Sequence, residues 1–217
     1  MRSFLALTSV TFCGIVRDRM FRAIFGVALF LLMLAPVFST FSMRQVQELA
    51  ITIALSAISF LLLIMALLLG SSSVWRDMER RYTSTVLTLP LSRCSYILGK
   101  FSGIASFIVS CGILLCLVSA PIIMFAASSY PSDTPIHWFN ITLAVCFDII
   151  KYLLVTALAF FFSSLSTSFF LPFFATVAVY LAGTASQEVF EYVSGQFGRE
   201  ISPAAVYIIK SIYYILP

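Results

Sequence analysis

Few side chains in this sequence could do chemistry, and they fall in two places. Asp148 and Lys151 sit in an otherwise apolar stretch, NITLAVCFDIIKYLLVTALAF. Three residues apart on a helix, they share a face and can pair. Charges inside so apolar a run are costly and usually face a bundle interior or a wet cavity. An internal ion pair, a place on a substrate path and a proton relay all satisfy that pattern. The second place is residues 75–100, WRDMERRYTSTVLTLPLSRCSYILGK. It opens with alternating charge, passes through a threonine-rich turn and a Pro90-Leu91-Ser92-Arg93 break, and closes on Gly99-Lys100. This pattern suits a short surface helix, a breaker and a return into lipid, an element that can take a push from a soluble partner. A solvated loop whose charges set topology fits it equally.

Other chemistries find little support. His137 is the single histidine and stands beside Trp138. One histidine makes no metal site, and it offers no serine or cysteine triad. The five cysteines, Cys13, Cys94, Cys111, Cys116 and Cys146, contain no CxxC pair and read as small packing residues. No GxxxxGK[ST] occurs, so Gly99-Lys100 lacks the loop that cradles phosphate. Gly99 and Gly103 are four apart, with Ser102, Ser106 and Ser110 interleaved. Small residues at that spacing let helices approach closely in lipid, either within one chain or between subunits.

The elements carrying these residues are membrane spans. The sequence is 61% hydrophobic and 10% charged, with a mean hydropathy of +1.05. A soluble domain carries about 25% charged residues. The apolar residues lie in long runs without period-2 alternation, which indicates helices rather than a barrel. Spans are expected at about 21–42, 49–72, 103–127, 138–162 and 169–185. Residues 128–137, SSYPSDTPIH, form a turn-rich loop, and 163–168 a short Ser/Thr link. Residues 1–20 mix apolar and polar side chains without a cleavage-site pattern and suit an interfacial helix. Residues 186–217 are mixed and expected to lie outside.

With the N-terminus inside, nine bases fall on the cytoplasmic side: Arg2, Arg17, Arg19, Arg22, Arg76, Arg80, Arg81, Arg93 and Lys100. Three fall outside: Arg44, Arg199 and Lys210. That asymmetry is the positive-inside signature. Glu48, Asp133, Glu188, Glu191 and Glu200 lean outward. The net charge of +4 thus comes from bases beside apolar runs and is not a nucleic-acid signature. The expected class is all-α: one polytopic helical bundle over 1–217, an interfacial helix plus five spans.

The 75–100 stretch resembles the main cytoplasmic loop of type-2 ATP-binding-cassette (ABC) exporter permeases. Asp77, Glu79, Arg80, Arg81, Pro90, Ser92, Arg93, Gly99, Lys100, Phe101 and Gly103 carry the likeness. Tyr82 and Thr88 stand where the family usually has Thr and Ser. Upstream, TFCGIVRDRMFRAIFGVALFLL resembles the opening segment of the multicopper-enzyme-maturation permease branch through Thr11, Phe12, Arg17, Asp18 and Arg19. The terminal YYILP resembles the segment before a last span, so the family leads to an expectation of six spans where this sequence supplies five.

The resemblance implies an exporter subunit that forms the translocation path, working with a separate ATPase that holds ATP and magnesium. It implies a coupling helix between spans two and three, with Arg76, Asp77, Glu79, Arg80 and Arg81 contacting the ATPase. Pro90, Ser92 and Arg93 then set the return angle and anchor it. A second permease copy or a sibling subunit completes the transporter, in the cell (inner) membrane. A non-transporting assembly, sensor or anchor subunit that docks an ATPase is the competing reading. No Met, His and Cys cluster suggests that the chain itself holds copper.

Overall fold

A computed structural model describes residues 2–39, 46–79, 93–129, 135–166 and 168–194. These form six α-helices: α1 (Arg2–Arg17), α2 (Arg19–Ser39), α3 (Val46–Glu79), α4 (Arg93–Ser129), α5 (Trp138–Leu165) and α6 (Phe170–Ser194). There is no strand among the described residues. The last five are long and apolar enough to cross a membrane, giving the expected polytopic helical bundle. At 16 residues α1 is shorter than the roughly 20 residues a span needs.

The break between α1 and α2 is built by Asp18. Its backbone amide donates to the Ile15 carbonyl at 3.0 Å, closing α1, and its carbonyl accepts from Arg22 at 3.2 Å, opening α2. Its carboxylate accepts from the Met20 amide at 3.1 Å. Asp18 is thus the N-cap of α2, placing a negative charge where free amide groups and the helix dipole favour one. Arg17, in the last turn of α1, complements the opposite dipole end.

The helix ends differ from the span limits expected of hydropathy in one instructive way. α3 has 34 residues and α4 has 37, or roughly 50–55 Å at ~1.5 Å per residue. That outruns a hydrocarbon core of about 30 Å. Residues 75–79 therefore continue α3, and 93–100 begin α4. Only 80–92 of the supposed loop lies outside the described residues. Polar composition marks where a chain leaves lipid; a helix ends only where its backbone bonding stops. Residues 186–194 likewise belong to α6, and 195–217 lie outside the described residues.

α3 is the central column, packed against α2, α4, α5 and α6. Its buried face, Ala54, Ile58, Leu61, Leu62, Met65 and Ala66, meets Ile104, Ile108 and Leu115 of α4 and Val155 and Ala159 of α5. The α3–α5 approach is close because Gly70 has no side chain. A methyl there would sit 2.4 Å from Ala159 Cβ and 3.1 Å from the Thr156 carbonyl oxygen. One turn on, the buried Ser163 hydroxyl donates to the Ser71 carbonyl at 3.0 Å. Small residues and interhelical hydrogen bonds hold helices together where lipid removes the hydrophobic drive between them. Large apolar side chains such as Phe30, Phe139, Phe147 and Phe174 face outward.

Candidate functional site

Two polar clusters stand out against this apolar bundle. The first lies at the end of the bundle where α3 stops and α4 starts. Arg76 and Asp77 are neighbours on α3, and ~100° of helical turn separates their side chains. Arg76 donates to the Asp18 carboxylate at 2.5 Å, and its guanidinium lies 5.9 Å from the centre of the Phe21 ring. Asp77 accepts from the Lys100 ammonium and from the Tyr96 hydroxyl of α4. Lys100 also donates back to the Ser73 carbonyl of α3. One turn of α3 is thereby tied to the α1–α2 elbow on one side and to α4 on the other.

The two ion pairs are unequal. The difference lies in the bases: the Lys100 side chain keeps 10% exposure and that of Arg76 32%, while the acids Asp77 and Asp18 are alike at 23% and 20%. Lys100 carries the larger desolvation cost and makes up for it only while Asp77 and the Ser73 carbonyl are in place. Beside these pairs lies a cavity of about 330 Å³, bordered by Thr11, Asp18, Phe21, Arg76, Asp77 and Lys100. A second, of about 460 Å³, shares Asp18 and Arg76 and reaches Trp75 and Phe169.

α1 is held along α4 by the small-residue seam. A methyl at Gly99 would meet Leu7 at 2.9 Å, and one at Gly103 would meet Thr11 at 2.7 Å and the Thr8 carbonyl at 3.0 Å. The Thr8 and Ser102 hydroxyls bond each other at 2.9 Å. Gly99 and Gly103 thus face the N-terminal helix of their own chain, while Ser106 is exposed and bonds back to the Ser102 carbonyl. Gly99 and Lys100 lie inside α4, where backbone N–H groups bond within the helix.

The second cluster lies midway along α5. Asp148 faces the Ser59 hydroxyl of α3. The Ser59 and buried Tyr152 hydroxyls bond at 2.5 Å, and the Tyr180 hydroxyl of α6 joins them. Lys151 does not close a salt bridge on Asp148; among the described residues the salt bridges are Arg76–Asp18 and Lys100–Asp77. Its ammonium lies instead 5.4 Å from the Tyr152 ring centre and 5.5 Å from that of Tyr180. The direct pair expected from spacing is therefore corrected to a looser electrostatic neighbourhood. Asp148 sits at the edge of the buried face of α5 and turns to α3, while Lys151, about 60° further round, turns to α6 and the exposed surface. Leaving a lysine exposed at this depth costs ~2.5–3.5 kcal/mol or more.

Of the other sequence-derived candidates, Glu79 and Arg93 are the last residue of α3 and the first of α4. Arg80, Arg81, Pro90 and Ser92 lie outside the described residues. Sequence reasoning passed over Asp18, Tyr96, Ser59 and Tyr180 as site residues. Two signals were available. An acid between two bases at a helix junction, Arg17-Asp18-Arg19, is a cap pattern. Tyr96 and Lys100 are four apart, so they reach one partner from one helix face.

Five apolar helices with α3 as their central column, charges tied at one end and further charges in mid-span, define a multi-pass membrane protein. The family model described as ABC-2 family transporter protein matches residues 5–184, a stretch from α1 into α6 that includes both clusters. The chain belongs to the ABC-2 transporter family and is a membrane permease component of an ABC transporter. Such permeases generally pair with an ABC ATPase. Comparison with curated proteins and with solved structures returns no match.

Proposed function

We propose that this chain is the permease subunit of an ATP-driven exporter and that its coupling element is the 76–93 segment. The separate ATPase subunits hold ATP and magnesium. Two permease subunits, copies or siblings, enclose the path. The N-terminus is cytoplasmic, as the excess of bases there favours, in the cell (inner) membrane. The ATPases then dock where α3 ends and α4 begins, with Arg76, Asp77, Glu79, Arg80 and Arg81 offering charge and Pro90, Ser92 and Arg93 guiding the return.

The observation that carries this reading is the double attachment of α3 through adjacent residues: Arg76 to Asp18, and Asp77 to Lys100. A force applied at 80–92 reaches α3, α4 and the α1–α2 elbow together. Nucleotide-driven closure of the ATPases switches the permease between two packings because the docked segment makes different contacts in each. Glu79→Ala combined with Arg80→Ala is expected to leave membrane insertion unchanged while transport-linked ATP hydrolysis in the reconstituted complex falls at least about tenfold, the loss of one or two charge-assisted contacts. Normal co-purification and transport by that double variant overturns the coupling assignment. A complex that assembles and hydrolyses ATP without moving any cargo supports the anchor reading instead.

A further inference from the structure

The groove between the α1–α2 elbow and α3 is charged at one end and apolar below it. The two cavities beside the ion pairs share Asp18, Phe21, Ser72 and Arg76, so they meet at the Arg76–Asp18 bridge. The second, of about 460 Å³, is walled by Met20, Ile24, Leu68, Trp75 and Phe169, and its size is that of a ligand cleft. Leu68 precedes Arg76 by two turns of α3 and lies about 12 Å deeper. Trp75, beside Arg76, is the residue type that marks a membrane–water boundary.

Arg76 has donors left over. Among the described residues it gives one N–H, at Nη1, to Asp18, and a guanidinium carries about five. The elbow around it is basic. Arg17, Arg19 and Arg22 are exposed and make no salt bridge among the described residues. The one acid between them, Asp18, is taken up by Arg76 and the Met20 amide.

We propose that this groove seats an anionic phospholipid of the cytoplasmic leaflet, its phosphate on Arg76 and an acyl chain on Ile24, Leu68 and Phe169. A guanidinium fork matches phosphate oxygens, and the exposed bases of the elbow favour a net-negative headgroup over a zwitterionic one. Charge at the rim with ~12 Å of apolar wall beneath fits a headgroup that carries a chain, whereas a free phosphate would use the rim alone. A lipid seated there lies along α2 and α3 beside the bridge that ties the elbow to α3, so that hold comes to depend on the composition of the leaflet. The seat needs the elbow on the cytoplasmic side, as the permease reading has it, but neither an ATPase nor a cargo.

The test uses the full-length chain with Trp138→Phe, which leaves Trp75 as its one tryptophan, in nanodiscs of phosphatidylcholine. Phosphatidylglycerol with brominated chains, which quench an indole on contact, is titrated in as a minor component. Brominated phosphatidylcholine is the reference. Half of the Trp75 quenching is expected at a share of phosphatidylglycerol at least about fivefold below that of the reference, the effect of one base near the membrane surface. Equal shares for the two lipids overturn the proposal. Arg76→Gln is expected to abolish the preference. A preference that survives it overturns the seat, and its loss in Arg17→Gln with Arg19→Gln and Arg22→Gln instead places the lipid on the elbow surface. Inorganic phosphate, compared with chloride of equal ionic strength, is expected to leave the quenching unchanged; relief by phosphate alone reveals an anion site without a chain and overturns the lipid. Should Arg76→Gln fail to insert, Leu68→Phe fills the groove and leaves every charge in place. Loss of the preference is expected of it, and an unchanged preference overturns the chain seat. None of these outcomes touches the permease reading, which ATP-linked transport tests by itself.

Discussion

Lys100 shows how one side chain acquires a role from its surroundings. By composition it is one of the bases beside an apolar run, a topology charge. In the fold it is buried and holds Asp77, with the Ser73 carbonyl and the Tyr96 hydroxyl completing the set. Lys100→Met strands the Asp77 carboxylate, still 23% exposed, and takes a donor from the Ser73 carbonyl, so a loss of ~1–3 kcal/mol is expected. Asp77→Asn added to it removes the stranded charge and restores part of the loss. Arg76→Met breaks a pair whose base is more exposed, and Asp18 keeps its bond from the Met20 amide, so a change of about 1 kcal/mol or less is expected. Thermal unfolding of the three variants in one detergent checks the order. A Lys100→Met loss no larger than that of Arg76→Met removes the argument from the burial of Lys100. The reason is visible in particular atoms: the sequence shows a lysine four residues after a tyrosine, but it does not show that Asp77, 23 residues earlier, lies within reach.

At the scale of elements, α3 and α5 are held close by absences. Gly70 leaves room for Ala159, and the Ser71 carbonyl then accepts from Ser163. Gly70→Leu forces the helices apart and is expected to cost ~1–3 kcal/mol, as overpacking does. Ala159→Gly in the same chain gives back a methyl's worth of space and recovers part of it. Detergent stability of the single and double variants is the measurement, and a double variant no better than Gly70→Leu alone shows that the contact is not at Ala159. The element limits were only half legible beforehand. All five apolar helices could be counted from hydropathy. The ends of α3 and α4 could not be placed, because their charged turns stay helical after leaving the apolar stretch. Gly99 and Gly103 announced a close approach, but their spacing fits any neighbour; that α1 fills the seam is a tertiary fact.

On the scale of the whole molecule, the α1–α4 seam and the two ion pairs join the N-terminal helix, the elbow and the ends of α3 and α4 into one assembly. If this assembly moves as a body when the ATPases close, locking it internally does no harm. Cysteines in place of Thr8 and Ser102, whose hydroxyls bond at 2.9 Å, are expected to form a disulfide under oxidation and to leave transport within about twofold of the reduced protein, since a packed contact that does not rearrange loses nothing by being crosslinked. Transport that stops on oxidation and returns with reductant shows that α1 slides on α4 during the cycle, and then coupling does not pass through a single rigid assembly.

The sequence by itself determined the class of molecule: helices in a membrane, five apolar runs, a one-sided distribution of bases, and two places where charge appears against an apolar background. Those follow from local composition and periodicity, because lipid imposes its demands on each span separately. The tertiary structure decided the partners. It turned Asp18 from a residue in a basic junction into the cap of α2 and the anchor of Arg76. It gave Gly99 and Gly103 to α1, and it turned Lys151 away from Asp148 toward Tyr180 and the surface. Each of these depends on which helix faces which at a given depth. Packing between spans sets that, and residues tens of positions apart along the chain carry no local mark of it.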